Sequence, residues 1–262
     1  MSKPSWREYP ATGRLLLRPE EAHVWRVSLL AEDPAVFALR GALSPDERKR
    51  ADRFHFRKDR HAFTITRAVL RLLLGRATQR DPREIRFEHG PQGKPMLPAG
   101  SAPDVRFNVS HSNHVALIAI VLDKEVGVDV EFMRSLRGDK DIPERFFSPR
   151  EVAALRALPE SRQEEAFFAC WTRKEAYIKA RGGGLTIPLD RFDVSLAPDE
   201  PAALLEVRGD PREARRWGMR ELKPGEGYAA AIVCEGTDWE LQCWEWPSGH
   251  ARNPLTLPFA RC

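Results

Sequence analysis

The sequence predicts an α+β protein divided in two by a faint internal repeat. Three observations carry that expectation: two helix starts of the same form, a series of short apolar or alternating segments, and helical spacing over one long stretch of the second half. At 262 residues the chain can bury a core without disulfides, and its 42% hydrophobic and 31% charged content excludes bulk disorder and fibrous repeats.

Ser44-Pro45-Asp46-Glu47 has the form of a capping box, with a Ser cap, Pro at the first helical position and a Glu that bonds back. Arg48, Lys49, Arg50, Arg53, Arg57, Lys58 and Arg60 then cluster on what reads as one helix. A solvated helix face is the plain account of that charge until a ligand explains it. Ser148-Pro149-Arg150-Glu151 repeats the capping device, and Thr66-Arg67 and Thr172-Arg173 enter helical stretches at a similar offset. Two related halves and chance both account for this, because Ser-Pro-x-Glu is a common helix start.

Residues 115–122 form an apolar run that reads as a buried strand, 123–125 a turn, and 126–131 an alternating strand, so a central hairpin is expected. Further strands are expected at 191–196, 204–207, 228–234 and 239–246, around a helix at 164–181. Residues 134–143 read as a polar loop, and 247–262 as a loosely attached tail.

The first residues carry charges and prolines where a secretory signal needs an apolar stretch, and no run reaches bilayer-spanning length. A cytoplasmic protein is the expectation. Cys170, Cys234, Cys243 and Cys262 lack CxxC pairing or accompanying His spacing, which argues against zinc and against a disulfide framework. A net charge of +4 suits acidic partners or phosphates without demanding nucleic acid.

In Val126-Gly127-Val128-Asp129-Val130-Glu131 the two-residue period puts the valines on one face and both acids on the other, about 7 Å apart. Neighbouring like charges are unfavourable unless a cation joins them. Magnesium suits such a pair, being held by one or two carboxylates with water and phosphate oxygens; two solvated acids at a strand end are the alternative. In the stretch from Phe167 to Lys179, Phe167, Trp171 and Ile178 follow core spacing, and Glu175 and Lys179 share a face one turn apart. They form either a surface ion pair or a third carboxylate and a lysine for a magnesium-diphosphate site. Phe107-Asn108-Val109-Ser110-His111-Ser112 places polar groups where the chain is expected to leave a strand for a turn. No Gly-x-Ser-x-Gly elbow accompanies Ser110, which excludes an α/β-hydrolase nucleophile.

These three stretches, in this order and spacing, resemble the signature motifs of 4'-phosphopantetheinyl transferases of the surfactin-synthetase-activating type. The likeness runs from about residue 43 to 194 and takes in Arg57 and a Gly93-Lys94-Pro95 loop. It implies a monomer of two pseudo-symmetric α+β halves, residues 1–122 and 123–262, with coenzyme A in the cleft between them. It assigns magnesium to Asp129, Glu131 and Glu175, and phosphate contact to Lys179, with Asp129, Glu175 and Lys179 carrying catalysis. It puts Arg57, Gly93, Lys94, Pro95, Ser110 and His111 on the 3'-phosphate and adenosine side, with Asn108 adjacent. The implied reaction moves phosphopantetheine from coenzyme A to a serine of an apo acyl or peptidyl carrier protein. Because the chain after Glu131 must pass near the diphosphate, and Arg134, Arg137, Lys140 and Arg145 suit an acidic partner, the carrier is expected to dock on residues 134–143, Phe146 and Phe147; a solvated loop with both phenylalanines packed in the core is the alternative. Two rivals use the same residues differently: a magnesium-dependent phosphohydrolase, and a nucleic-acid binder using the basic helix, which leaves the acids unexplained. Neither a nucleic-acid partner nor a membrane is expected.

Overall fold

The computed structural model describes residues 5–10, 13–101, 103–135 and 141–247; residues 248–262 of the tail, with Cys262, and residues 136–140 of the polar loop, with Arg137 and Lys140, lie outside the described residues. In chain order the strands and α-helices are β1 (Arg7–Glu8), β2 (Glu21–Ser28), α1 (Asp33–Arg40), α2 (Pro45–Asp52), α3 (Arg57–Thr78), β3 (Glu88–His89), β4 (Pro95–Met96), β5 (Val105–Ser112), β6 (Val115–Leu122), β7 (Val126–Phe132), α4 (Ile142–Phe146), α5 (Pro149–Ala157), α6 (Glu160–Arg181), β8 (Phe192–Val194), β9 (Leu204–Val207), β10 (Trp217–Leu222), β11 (Tyr228–Glu235) and β12 (Glu240–Glu245). The architecture is α+β, as expected.

Two sheets organise it, a five-stranded one in the order β1-β12-β2-β6-β5 and a three-stranded one in the order β10-β11-β7. The expected hairpin of residues 115–122 with 126–131 does not form. Strand β6 already pairs with β2 on one edge and β5 on the other, so no edge is left for β7, which pairs with β11. Asp123, at φ 54°, turns the chain out of the first sheet and into the second. The valines of β7 then pack face-on against Leu117, Ala119 and Val121 of β6. The other face of β6, with Ile118 and Ile120, lies under α3, while α6 covers the other face of β11 and β7. The layers therefore run helix, sheet, sheet, helix, and β6 is apolar throughout because both its faces are buried.

Strand β12 returns from the second half to lie parallel to β2, where Trp244 stacks on His23 and donates a hydrogen bond to its Nδ1 at 3.0 Å. The boundary at residue 122 is thus crossed by one strand. The single basic helix expected over 48–60 is two: α2 ends at Asp52, Arg53 and Phe54 close its last turn through Arg50 and Ala51 carbonyls, and α3 starts at Arg57.

Both capping boxes form, and each goes further than its sequence signature. Glu47 accepts from the Ser44 amide at 3.1 Å and Glu151 from the Ser148 amide at 2.9 Å. Each carboxylate also holds a buried cation of the long helix that follows, Arg71 of α3 and Lys174 of α6. Each cation then donates to two carbonyls just beyond its helix, Pro82 and Ile85 for Arg71, Leu189 and Phe192 for Lys174. An uncompensated buried charge is costly, so each network is satisfied as a unit. The faint repeat is therefore real: both halves build the same carboxylate, cation and carbonyl network.

Candidate active site

Helix α6 lies against β7 because the contact residues are small. A Cβ on Gly127 would collide with the Ala176 carbonyl and the Ala180 amide. With hydrogen at that position and alanines facing it, Glu175 and Lys179 come down beside Asp129. Lys179 Nζ donates to Asp129 Oδ1 at 2.6 Å and to Ser110 Oγ at 3.1 Å, and Ser110 Oγ donates to Asp129 Oδ1 at 2.8 Å.

Asp129 is 3% exposed, and its Oδ2 is buried with no hydrogen-bond partner among the described residues. Burial raises the Asp129 pKa, although Lys179 and Ser110 pull it back. Glu131 and Glu175 are also raised, by burial first and then by the negative charge of their carboxylate neighbours, against which Lys179 acts. Glu131 accepts from Ser112 Oγ at 2.9 Å, whereas Glu175 makes no hydrogen bond or ion pair among the described residues.

Asn108, Ser110 and Ser112 lie inside β5, where a turn was expected. With their two-residue period they face the outer edge of β7 and join the two sheets through side chains. Asn108 Oδ1 accepts from the Val128 amide at 2.9 Å, and Ser112 Oγ from the Phe132 amide at 3.0 Å, so unpaired edge amides are covered. Ser110 is thus bonded into the acid cluster, and Asn108 is a stitch between sheets.

A cleft of about 1040 Å³ opens beside this cluster, lined by Arg50, Arg57, Lys58, His61, Pro95 and His111 among others. His111 stands at the junction: burial and the Lys179 charge lower its pKa, while Asp59 across the cleft raises it. Arg57 is held at 2.6 Å by Asp33, with both side chains more than half exposed, so the pair is weak and open to exchange for a phosphate. Arg50 and Arg67 also line an adjoining cleft of about 710 Å³, stacked on Phe63 and Phe87. Gly93, at φ 76°, makes the turn before Lys94. The structure takes Lys94 away from the cleft: its Nζ is engaged by the Lys179 and Val126 carbonyls at 2.9 and 3.2 Å and by Glu125 at 3.4 Å. The resemblance expected a 3'-phosphate contact there; the hydrogen bonds that Lys94 Nζ makes within the chain are these three.

Among the described residues no three His, Cys, Asp or Glu side chains are gathered closely enough to hold a metal ion between them. Of Asp129, Glu131 and Glu175, Asp129 is paired with Lys179, at 2.6 Å. Magnesium needs only one or two carboxylates when phosphate and water complete its octahedron. The bare Asp129 Oδ2 and the charge strain shared by three desolvated carboxylates fit such a cation.

Two residues that sequence reasoning gave no part in the site help build it. Ser112 was visible as the third member of the period-two set facing Asp129 and Glu131, but its pairing needed the strands' register. Gly127 left no signal, since nothing in the sequence says that a helix lies on it. Phe147 is 3% exposed and packs on Phe167 in the core, and Phe146 meets the edge of Trp171, so neither offers the open docking pair expected.

Two family models cover the chain in tandem: one described as 4'-phosphopantetheinyl transferase, N-terminal, matches residues 32–122, and one described as 4'-phosphopantetheinyl transferase superfamily matches residues 125–233. The 4'-phosphopantetheinyl transferase HetI of Nostoc is 35% identical over 238 residues, 90% of this chain and 97% of that protein. The 4'-phosphopantetheinyl transferase Sfp of Bacillus subtilis is 34% identical across 60% of this chain and 68% of its own length. A human L-aminoadipate-semialdehyde dehydrogenase-phosphopantetheinyl transferase is 29% identical over 75% and 68% of the two chains. With one relative matched almost end to end and the two models meeting where the chain passes from the first sheet to the second, this protein belongs to the 4'-phosphopantetheinyl transferase superfamily.

Proposed function

We propose that the protein transfers the 4'-phosphopantetheine arm of coenzyme A to a serine of an apo acyl or peptidyl carrier protein, a holo-[acyl-carrier-protein] synthase type of reaction, releasing 3',5'-ADP. One observation carries this reading: the desolvated acid cluster bearing Lys179 meets the basic cleft at His111 and Ser112, which line the cleft while Ser112 bonds Glu131 at 2.9 Å. A diphosphate lying at that junction would have its nucleotide end among the cations of residues 1–122 and its reacting end among the acids of residues 123–262.

In the cleft Arg57 gives up Asp33 for the 3'-phosphate, a charge-assisted contact that fixes the nucleotide end. Lys179, already 2.6 Å from Asp129, turns its charge on the 5'-phosphate that leaves with 3',5'-ADP. Asp129, Glu131 and Glu175 are the side chains that would hold a magnesium ion against the substrate phosphates, where it would supply charge neutralisation. Glu175 has no hydrogen-bond partner among the described residues, and burial raises its pKa above the ordinary carboxylate value, which favours proton acceptance. It takes the proton as the carrier serine oxygen bonds to the phosphorus that bears pantetheine; the bond from that phosphorus to the 3',5'-ADP oxygen breaks, and its electrons leave with the nucleotide. Arg134, just after β7, and Arg145, on α4, suit an acidic carrier.

Incubation with coenzyme A, magnesium and an apo carrier tests the proposal. A carrier mass gain of one phosphopantetheine group with matching 3',5'-ADP is expected. Nucleotide or phosphate release without carrier modification would make the protein a hydrolase, and no reaction with any of a panel of acyl and peptidyl carriers would overturn transfer.

A further inference from the structure

We propose that Lys94 is a positioning residue for this transfer, a strut from the first half that ties the last turn of α6 to the start of β7 and thereby sets Lys179 over Asp129. The inference rests on the functional reading above. An ammonium has three protons to give and no acceptor, and all three have takers here. The Lys179 carbonyl lies at 2.9 Å, the Val126 carbonyl at 3.2 Å and Glu125 Oε2 at 3.4 Å. Val126 opens β7 and Lys179 lies in the last turn of α6, so one nitrogen spans the two elements whose side chains, Asp129 and Lys179, meet at 2.6 Å.

The strut is built into its own loop. The Gly90 amide donates to the Lys94 carbonyl at 3.0 Å and the Gly93 amide to the Gly90 carbonyl at 2.9 Å, closing the connection between β3 and β4 into a tight turn. The same loop touches the exit of α6 a second time: a Cβ on Gly184 would sit 3.4 Å from Gln92 Cβ. Lys94 is 19% exposed, and burial lowers its pKa while Glu125 opposes the fall, as expected for a cation withdrawn from water and held by protein groups. Its place at a helix C-terminus is favourable, because the last carbonyls of α6 carry partial negative charge. The Lys179 carbonyl also accepts from the Gly182 amide at 3.2 Å, so loss of the ammonium loosens the turn that closes the helix. Errors of about 1 Å in a positioned group can cost about 100-fold in rate.

Lys94→Met removes the donors and keeps the apolar stem, and Lys94→Arg restores a charge and several donors. The expected result for Lys94→Met is a fall in kcat of about 10- to 100-fold, with the Michaelis constants for coenzyme A and dephospho-coenzyme A changed equally and little, and recovery of most of the loss in Lys94→Arg. Hydrogen exchange at the amides of residues 179–182 and 126–128 should quicken in Lys94→Met while the rest of α6 keeps its protection. If Lys94→Met fails to fold, Lys94→Gln takes the same measurements. A kcat at the wild-type level would overturn the proposal, as would a rise in the Michaelis constant for coenzyme A that dephospho-coenzyme A does not share, which would put Lys94 on the 3'-phosphate. A wild-type protein that modifies no carrier would sink the functional reading instead, and the exchange data would still decide whether the strut exists.

Discussion

Asp129 is 3% exposed, yet only its Oδ1 is hydrogen bonded among the described residues, and the two nearest carboxylates share its raised pKa. An acid kept in that condition costs stability, so its place in the fold has to be explained by what it binds. Asp129→Asn and Glu175→Gln keep size and remove charge. Each should lower kcat by roughly 100-fold or more while the melting temperature in chelator stays level or rises; near wild-type transfer in both variants would remove the acid site. Arg57→Ala tests the other end of the substrate. Its exposed pair with Asp33 contributes little to stability, whereas a lost bond to the 3'-phosphate is worth about 1.5–3 kcal/mol. Coenzyme A should therefore bind more weakly by about that amount, with dephospho-coenzyme A almost unaffected, and equal losses for both ligands would place Arg57 elsewhere.

Among the elements, β7 and α6 decide the chemistry through one absent methyl group. Gly127 lets the helix backbone approach the strand, and Ala180 Cα would stand only 3.0 Å from a Cβ there. Gly127→Ala must push α6 outward, and overpacking of this kind costs about 1–3 kcal/mol. The expected outcome is a lower melting temperature together with a loss of kcat larger than the folded fraction explains, because Glu175 and Lys179 ride on the displaced helix. A variant with unchanged melting temperature and kcat would show that the helix does not need the glycine. Strand β5 works differently, by side chains: Asn108 and Ser112 bond edge amides of β7 that the ladders leave unpaired.

For the whole molecule, magnesium binding should appear as stability. The folded-state pKa values of Asp129, Glu131 and Glu175 are raised, so the folded chain holds these protons more tightly than the unfolded chain does. Without metal their contribution is favourable at low pH and is lost as pH rises through the raised folded values. Protons and magnesium then compete for the same oxygens. Magnesium should raise the melting temperature more at neutral than at mildly acid pH, and Asp129→Asn should lose most of that gain. An equal gain at both pH values, or one that survives Asp129→Asn, would argue for a cation bound elsewhere.

Much of this was legible in local pattern. The capping boxes at Ser44 and Ser148, the alternation that sets Asp129 and Glu131 opposite the valines, and the one-turn spacing of Glu175 and Lys179 are short-range regularities, and backbone geometry alone turns them into faces and ends. Long-range choices were closed to such reading. Whether β6 pairs with β7 depends on β2 and β5 having already taken its edges, and whether β12 ends in the first sheet depends on partners more than 200 positions away in sequence, as in the Trp244–His23 contact at |i−j| = 221. Lys94 shows the difference in one residue. Its sequence marks a cation in a glycine turn; only the packing of the two halves aims that cation at the Lys179 and Val126 carbonyls, because the destination of a long side chain is set by the nearest buried acceptors and not by its neighbours along the chain.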